Sequence, residues 1–222
     1  PTAQDHKRLE EGDKGPNTGG MGAYSPTPLI SKNDLKKICK KIIDPTINEL
    51  IKKKINYRGV IYFGLMITEV GAKVIEYNCR FGDPECQTIM PLMDKNFVNL
   101  LYECATGNLN RSEQIITNNK VSSCVIASSN GYPLDYEVGY HIQLENIEDK
   151  NLQIFHSGTS INESEELVTN GGRVLSIVCQ SEDFDSAFEK VYKYLNKVKF
   201  KGIFYRKDIG HQVRKRYKGD PK

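Results

Sequence analysis

The stretch Val74-Ile75-Glu76-Tyr77-Asn78-Cys79-Arg80-Phe81-Gly82-Asp83-Pro84-Glu85 constrains the chain more than any other part of it. Its first seven residues read as a strand, and side chains alternate faces along a strand. Ile75 and Tyr77 therefore share one face, and Glu76, Asn78 and Arg80 share the other. Asp before Pro is a common helix start, which makes Asp83 an N-cap and Pro84 the first helical residue. Glu76 and Asn78 supply hard oxygen ligands of the kind Mg²⁺ takes alongside water and phosphate. Arg80 can neutralise a phosphoryl or carboxylate oxygen. Glu85 suits the first turn of a helix, whose N-terminus welcomes an anion. The pattern also describes an ordinary amphipathic strand with a solvated polar face, and capping alone would account for Asp83.

The second informative run is Gly15-Pro16-Asn17-Thr18-Gly19-Gly20-Met21-Gly22. Glycine at this density reads as a loop rather than regular structure. Its backbone N–H groups are able to approach an anion, and Asn17 and Thr18 add side-chain hydrogen bonds. It lacks the Gly-Lys-Ser/Thr ending of a P-loop. A plain surface loop is the competing reading.

The rest of the chain alternates helices and strands. A helix capped by Ser31, with Asp34 in capping-box spacing, places Leu35, Ile38, Ile42 and Ile43 on one face, and Pro45 bends or divides it. Strands are expected over 57–68 and 73–80 around a turn at 69–72. Helices follow over about 84–93 and 96–106, then a polar linker over 107–119. Further strands are expected at 121–128, 140–144, 152–156, 173–180 and 202–206, with a helix over 184–198 carrying Phe184, Ala187, Val191 and Leu195 on one stripe. The tail beyond Gly210 is basic.

Composition excludes several classes. The chain has 222 residues, 38% hydrophobic and 27% charged, enough for a real core. A net charge of +3 is too small to make nucleic acid or membrane the main partner. The six cysteines are scattered, with no CxxC pair, and read as reduced thiols in a cytoplasmic protein. His141, His156 and His211 are isolated and offer no general base.

Five motifs in order resemble those of the phosphoribosylamine–glycine ligases. They are Asp5-His6-Lys7-Arg8, Asn17–Tyr24, Glu76–Glu85 with Gln87, Thr169–Leu175 with its Gly171-Gly172-Arg173, and Tyr205–Gly210. The resemblance implies an α+β chain: the C-terminal lobe of an ATP-grasp fold over 1–118, then a small mixed α/β C-terminal domain over 119–222. It implies ATP with Mg²⁺ or Mn²⁺, the substrates glycine and 5-phosphoribosylamine, and a monomer lacking the family's N-terminal half. In that family Glu76 and Asn78 would be metal ligands, and Arg80 would stabilise the transferring phosphoryl group. Asp5, His6, Lys7, Asn17, Thr18, Gly19, Gly20, Met21, Gly22, Asp83, Glu85, Gly172 and Arg173 would lie along the substrates and phosphates. Lys207 and Asp208 are expected as a structural ion pair or a lobe contact. The isolated chain is expected to bind ATP weakly and not to turn over. Two alternatives are another ATP-grasp carboxylate–amine ligase or carboxylase, and a non-catalytic phosphate-binding module. Nucleic-acid binding through the basic tail is disfavoured because no aromatic-interleaved basic stretch exists.

Overall fold

The computed structural model describes residues 1–110 and 115–215, so the middle of the 107–119 segment and the end of the basic tail lie outside the described residues. The chain forms two compact units. One gathers Pro1–Pro26, Asp83–Leu92 and the described residues from Asn118 on; the other gathers Thr27–Gly82 and Met93–Thr117. A division made by contacts thus does not fall at residue 118, because N-terminal residues are built into the sheet of the C-terminal half.

That sheet is antiparallel and six-stranded. Its order is β1 (Gln4–Asp5), β4 (Gly22–Ser25), β7 (Val121–Ser129), β11 (Arg173–Ser181) and β8 (Leu152–His156), with β12 (Ile203–Phe204) paired to the end of β7. Two small ribbons accompany it, β2 (Arg8–Glu10) with β3 (Lys14–Asn17), and β9 (Thr159–Ile161) with β10 (Leu167–Thr169). Residues 1–30 contain four short strands, and of the glycine-rich run at 15–22, expected as loop, only residues 18–21 lie between strands. Strand β4 pairs with β7 about 100 residues later, while β1 pairs with β4 and β2 with β3, so pairing supplied what local propensity did not. The expected strand at 140–144 reduces to isolated bridges from His141 to Val168 and from Gln143 to Lys199.

Strand β7 reads Val-Ser-Ser-Cys-Val-Ile-Ala-Ser-Ser and is buried along nearly its whole length, so both faces of the sheet are covered. Val125 and Ala127 face a core with Leu175, Ile177, Phe188, Val191 and Leu195. Cys124 and Ile126 face a smaller cluster with Val178. The first core is closed by α5 (Phe184–Leu195), whose N-cap Asp183 accepts the Ser186 N–H at 2.8 Å.

A fully buried guanidinium ties the β2–β3 ribbon to the C-terminal segment. Arg206 donates from Nε and Nη2 to both carboxylate oxygens of Asp208 (2.8 and 2.7 Å), from Nη2 to Asp13 (3.0 Å) and from Nη1 to the Arg8 carbonyl (2.9 Å). Gly12 N–H adds a bond to Asp208 at 2.8 Å. Burial pushes the Asp208 carboxyl up, but Arg206 and this N–H outweigh it and hold it below the usual range. Asp208 thus pairs with Arg206 rather than with Lys207, whose backbone N–H bonds to Glu11.

In the second unit, Ser31 caps α1 (Lys32–Ile38), accepting the Asp34 N–H at 3.1 Å. Pro45 cannot follow an ordinary turn, having no N–H and a ring that crowds the carbonyl four residues back. The chain accommodates it with a π-helical turn over Cys39–Ile43 before α2 (Asp44–Lys52). Strands β5 (Tyr62–Thr68) and β6 (Gly71–Asn78) form a hairpin, the first beginning later than its composition suggests. Helix α4 (Phe97–Thr106) ends on Gly107 in the left-handed conformation. Among the described residues of this unit Ile38 is the one buried large apolar side chain, while Met66, Ile67, Val74, Ile75 and Tyr77 of the hairpin are exposed.

Asp208→Ala strands the Arg206 charge in the interior of the first unit. A loss of about 3–5 kcal/mol is expected, the usual cost of breaking a buried ion pair from one side. Urea unfolding of the variant against the parent chain measures it, and a loss under 1 kcal/mol would show that Asp13 alone suffices.

Candidate functional site

The glycine-rich run is positioned by pairing on both sides. Asp5 lies opposite Ala23 in the β1–β4 ladder, and the ladder continues through His6 N–H to Gly22 O (3.0 Å) and Met21 N–H to His6 O (2.9 Å). Thr18 N–H closes it on Lys7 O at 2.7 Å. The Asp5-His6-Lys7 and Asn17–Gly22 motifs thus lie on the two arms of one antiparallel ribbon that turns at residues 11–13, and residues 18–21 bulge out of one arm as a tip of their own.

Each amide of that tip is engaged within the protein. Gly19 N–H donates to the Tyr132 hydroxyl at 2.8 Å, and Gly20 N–H to Thr18 Oγ1 at 3.0 Å. Thr18 Oγ1 itself donates to Lys7 O at 2.9 Å. The anion cradle expected from the glycines is therefore not open in this conformation. The glycines serve close approach instead. A Cβ on Gly19 would lie 2.9 Å from the Arg173 guanidinium carbon, and one on Gly20, where φ is +119°, would lie 2.6 Å from Asp5 Oδ1. Tyr132 lies in the Asn-Gly-Tyr-Pro turn that follows β7. Its partner is 113 residues away, and no local signal marked it.

Arg173, the first residue of β11, joins the loop to Asp83. Nη1 donates to Gly19 O (3.1 Å) and to Asp83 O (2.9 Å), and Nη2 to Asp83 Oδ2 (3.0 Å). Asp83 does not cap a helix as its sequence suggests. Helix α3 (Glu85–Ile89) begins after Pro84 with no side-chain cap, and the Asp83 carboxylate is taken by Arg173 and by Gln87 Nε2 (2.9 Å). The guanidinium offers a stronger partner than an exposed amide, so the cap is lost.

Beneath the loop lie two buried acids. The Lys7 ammonium is 2.6 Å from Asp5 Oδ2. Burial, then the charge of Glu85, nevertheless push the Asp5 carboxyl up to about 7. Glu85 is itself only 2% exposed. Such a pair costs stability, and a buried carboxyl perturbed by burial and a neighbouring charge is a candidate functional position. His6 is different. Burial, then Arg206, push its imidazole down to about 4, so it is neutral near pH 7. Its Nε2 accepts Gly210 N–H at 3.2 Å, which makes it an anchor for the C-terminal turn.

The other expected residues scatter. Met21 is fully buried in the core, and its N–H and carbonyl are used by His6 and Ile126, so it offers a ligand nothing. Gly22 packs against Cys124 O, where a Cβ would sit at 2.6 Å. Asn17 pairs with Arg8 in the β2–β3 ribbon. Gly172 lies under the Tyr132 ring, which a Cβ would meet at 2.2 Å.

Glu76, Asn78 and Arg80 belong to the second unit. Asn78 Nδ2 donates to Glu76 Oε1 at 3.4 Å, so the two side chains do share a face of β6. Glu76 stands opposite Gly64, which leaves room for its carboxylate on β5. A carboxylate and an amide in contact on an exposed strand face are a donor set suited to a hard cation. Arg80 lies beyond the strand end and donates to Phe81 O at 2.7 Å. Among the described residues no group of three or more His, Cys, Asp or Glu forms a metal cluster, and no helix is long and apolar enough to cross a membrane.

Residues 1–86 match the ATP-grasp (A) domain of phosphoribosylglycinamide synthetase and residues 122–212 match its C domain. The phosphoribosylamine–glycine ligase of Halalkalibacterium halodurans is 48% identical over 215 residues, covering 95% of this chain and 48% of that protein. The crystal structure of the Thermotoga maritima phosphoribosylamine–glycine ligase superposes with a TM-score of 0.83 at 36% identity, over 94% of this chain and 51% of that one. A biotin carboxylase from Campylobacter jejuni, at 17% identity and a TM-score of 0.60 over 83% of this chain and 40% of that one, shares the fold. The chain spans about half the length of the curated ligases it matches.

Thermal unfolding at two pH values tests the buried acid. The ordinary carboxyl value is 3.8 and the folded one about 7, so Asp5 favours the fold at acid pH and loses that contribution as pH rises from 3.8 to 7. Asp5→Asn is expected to raise Tm at pH 8, by about 2–4 °C for each kcal/mol recovered, and to give no gain at pH 4. Equal shifts at both values would mean that Lys7 keeps the carboxylate ionised.

Proposed function

The chain belongs to the phosphoribosylglycinamide synthetase family, and from that premise we propose that it forms part of an enzyme that joins glycine to 5-phosphoribosylamine at the expense of ATP. The observation that carries the reading is the match of both domains in order along one chain, at 48% identity to a named ligase. A glycine carboxylate oxygen attacks the γ-phosphorus of ATP, the bond to ADP breaks, and glycyl phosphate forms. The amine nitrogen then attacks the glycyl carbonyl carbon, the carbon–oxygen bond to phosphate breaks, and the nitrogen gives up a proton. The products are glycinamide ribonucleotide, ADP and phosphate.

Phosphoryl transfer of this kind depends on positioning and on neutralising charge more than on covalent help from the protein. Glu76 and Asn78 hold the cation, Mg²⁺ or Mn²⁺, which supplies positive charge to the phosphate oxygens when bound. The contact between these side chains on one face of β6 supports the assignment. Arg80 meets the charge on the transferring group once it exchanges its own loop carbonyl for substrate. The tip at residues 18–21 covers the acyl phosphate and keeps water away. Lys7, held against Asp5, meets an anionic substrate group. The chain spans about half the length of the ligases it matches, and in this reading the remaining parts of the ATP site correspond to their other half. In this reading the protein works in the cytoplasm as one copy.

The test uses the full-length polypeptide that carries these residues, with glycine, phosphoribosylamine, ATP and Mg²⁺, and follows phosphate release. Release needing both glycine and the amine is expected, falling roughly 10²–10³-fold in Glu76→Ala/Asn78→Ala, the scale for removing an electrostatic stabiliser of the transition state. Release unchanged in the variant would move the metal elsewhere; no glycine dependence in a folded parent would reject the ligase reading.

A further inference from the structure

We propose that Arg173 and Tyr132 are positioning residues that clasp the tip of the glycine-rich ribbon, Arg173 by its carbonyls and Tyr132 by its Gly19 amide, and so hold the tip shut against water during the reaction. The inference rests on the ligase reading for what is shielded, and on geometry alone for the clasp.

The geometry is specific. One guanidinium bonds Gly19 O, Asp83 O and Asp83 Oδ2, so a single side chain joins the Asn17–Gly22 and Arg80–Glu85 motifs. The bonded residues Gly19 and Asp83 are 64 positions apart in sequence, and Arg173 lies 90 beyond Asp83. Only a planar group with several donors in a fixed fork spans three acceptors so placed; an ammonium is one point charge on a flexible stem. The arm is rigid at its base, because Arg173 is in register with Ser128 at the start of a buried strand. Its side chain is 20% exposed, shielded enough for charge-assisted bonds to matter.

Tyr132 holds the same residue from the other side. Its hydroxyl accepts the Gly19 N–H, while its ring packs on Gly172, immediately before Arg173. The Gly171-Gly172-Arg173 motif therefore serves the clasp twice. Gly172 gives Tyr132 its seat, and Arg173 supplies the donors.

A tip held from both sides gives a loss that a structural weakness would not. If the tip opens while glycyl phosphate is present, water adds to the carbonyl carbon, the carbon–oxygen bond breaks, and glycine and phosphate leave without product. The number of phosphates released per ribonucleotide formed then rises above one.

The experiment compares Tyr132→Phe and Arg173→Lys with the parent in the full-length enzyme. It measures that ratio, kcat and KM, the Tm, and amide hydrogen exchange over residues 18–21. Expected are a Tm within about 2 °C of the parent, exchange at the tip faster by roughly tenfold, the equivalent of about 1.4 kcal/mol, a net hydrogen bond or so, and a ratio above one. Unchanged tip exchange in both variants overturns the clasp. Faster exchange with the ratio held at one overturns the shielding role, as does a fall in kcat alone. Should Arg173→Lys fail to fold, Tyr132→Phe, which removes one hydroxyl, carries the test. A parent without glycine-dependent turnover would reject the ligase reading while leaving the exchange result to decide the clasp.

Discussion

The pairing of Gly22–Ser25 with the central strand of the sheet is the interaction on which the first unit depends. Its register sets Gly22 against Val125 and Ser25 against Ser122. Each backbone bond contributes about 1 kcal/mol net, but the geometric consequence is larger. The glycine-rich run leaves β3, bulges over four residues and enters the buried β4, with Asp5-His6-Lys7 paired alongside both ends of the bulge, so its tip cannot swing as a free loop would. Flexible sequence thus acquires a fixed position from a strand about 100 residues later.

That fixed position is expensive. Two acids, Asp5 and Glu85, lie near each other with little exposure, and burial drives the Asp5 carboxyl up to about 7 despite a lysine at 2.6 Å. A chain shaped for stability alone would place an amide or an apolar group there. The Arg206–Asp208 pair shows the contrast within the same unit, because there every charge meets a partner and the carboxyl is held low. One buried cluster is satisfied and locks the C-terminal segment to the β2–β3 ribbon. The other is under electrostatic strain directly beneath the tip.

Much of this was legible in the sequence, and the limits have a physical pattern. Ser31 capping, the β5–β6 hairpin, the Glu76 and Asn78 face and the α5 stripe were readable because each is set by residues within a few positions. The four N-terminal strands were not, since glycine and proline oppose strand locally, and β4, on which β1 pairs, is formed by the distant β7. Asp83 was misassigned for the same reason. The local pattern says N-cap, but the carboxylate is claimed by Arg173 from 90 residues away. The pairing of Asp208 with Arg206 rather than its neighbour Lys207 depended on burial that sequence does not display.

The chemistry of the tip's hydrogen bonds bears on how it could change state. Thr18 and Met21 give their amides to backbone carbonyls of Lys7 and His6, bonds that belong to the ribbon and break only if it unzips. Gly19 and Gly20 give theirs to hydroxyls, of Tyr132 and Thr18. Both hydroxyl acceptors are neutral, and a phosphate oxygen is a better acceptor than either because charge-assisted bonds are roughly twice as strong. The two central amides are therefore exchangeable in a way the flanking two are not. An anion arriving at the tip would have to compete with neutral side chains alone, while the ribbon and the Arg173 bonds kept the glycines in place.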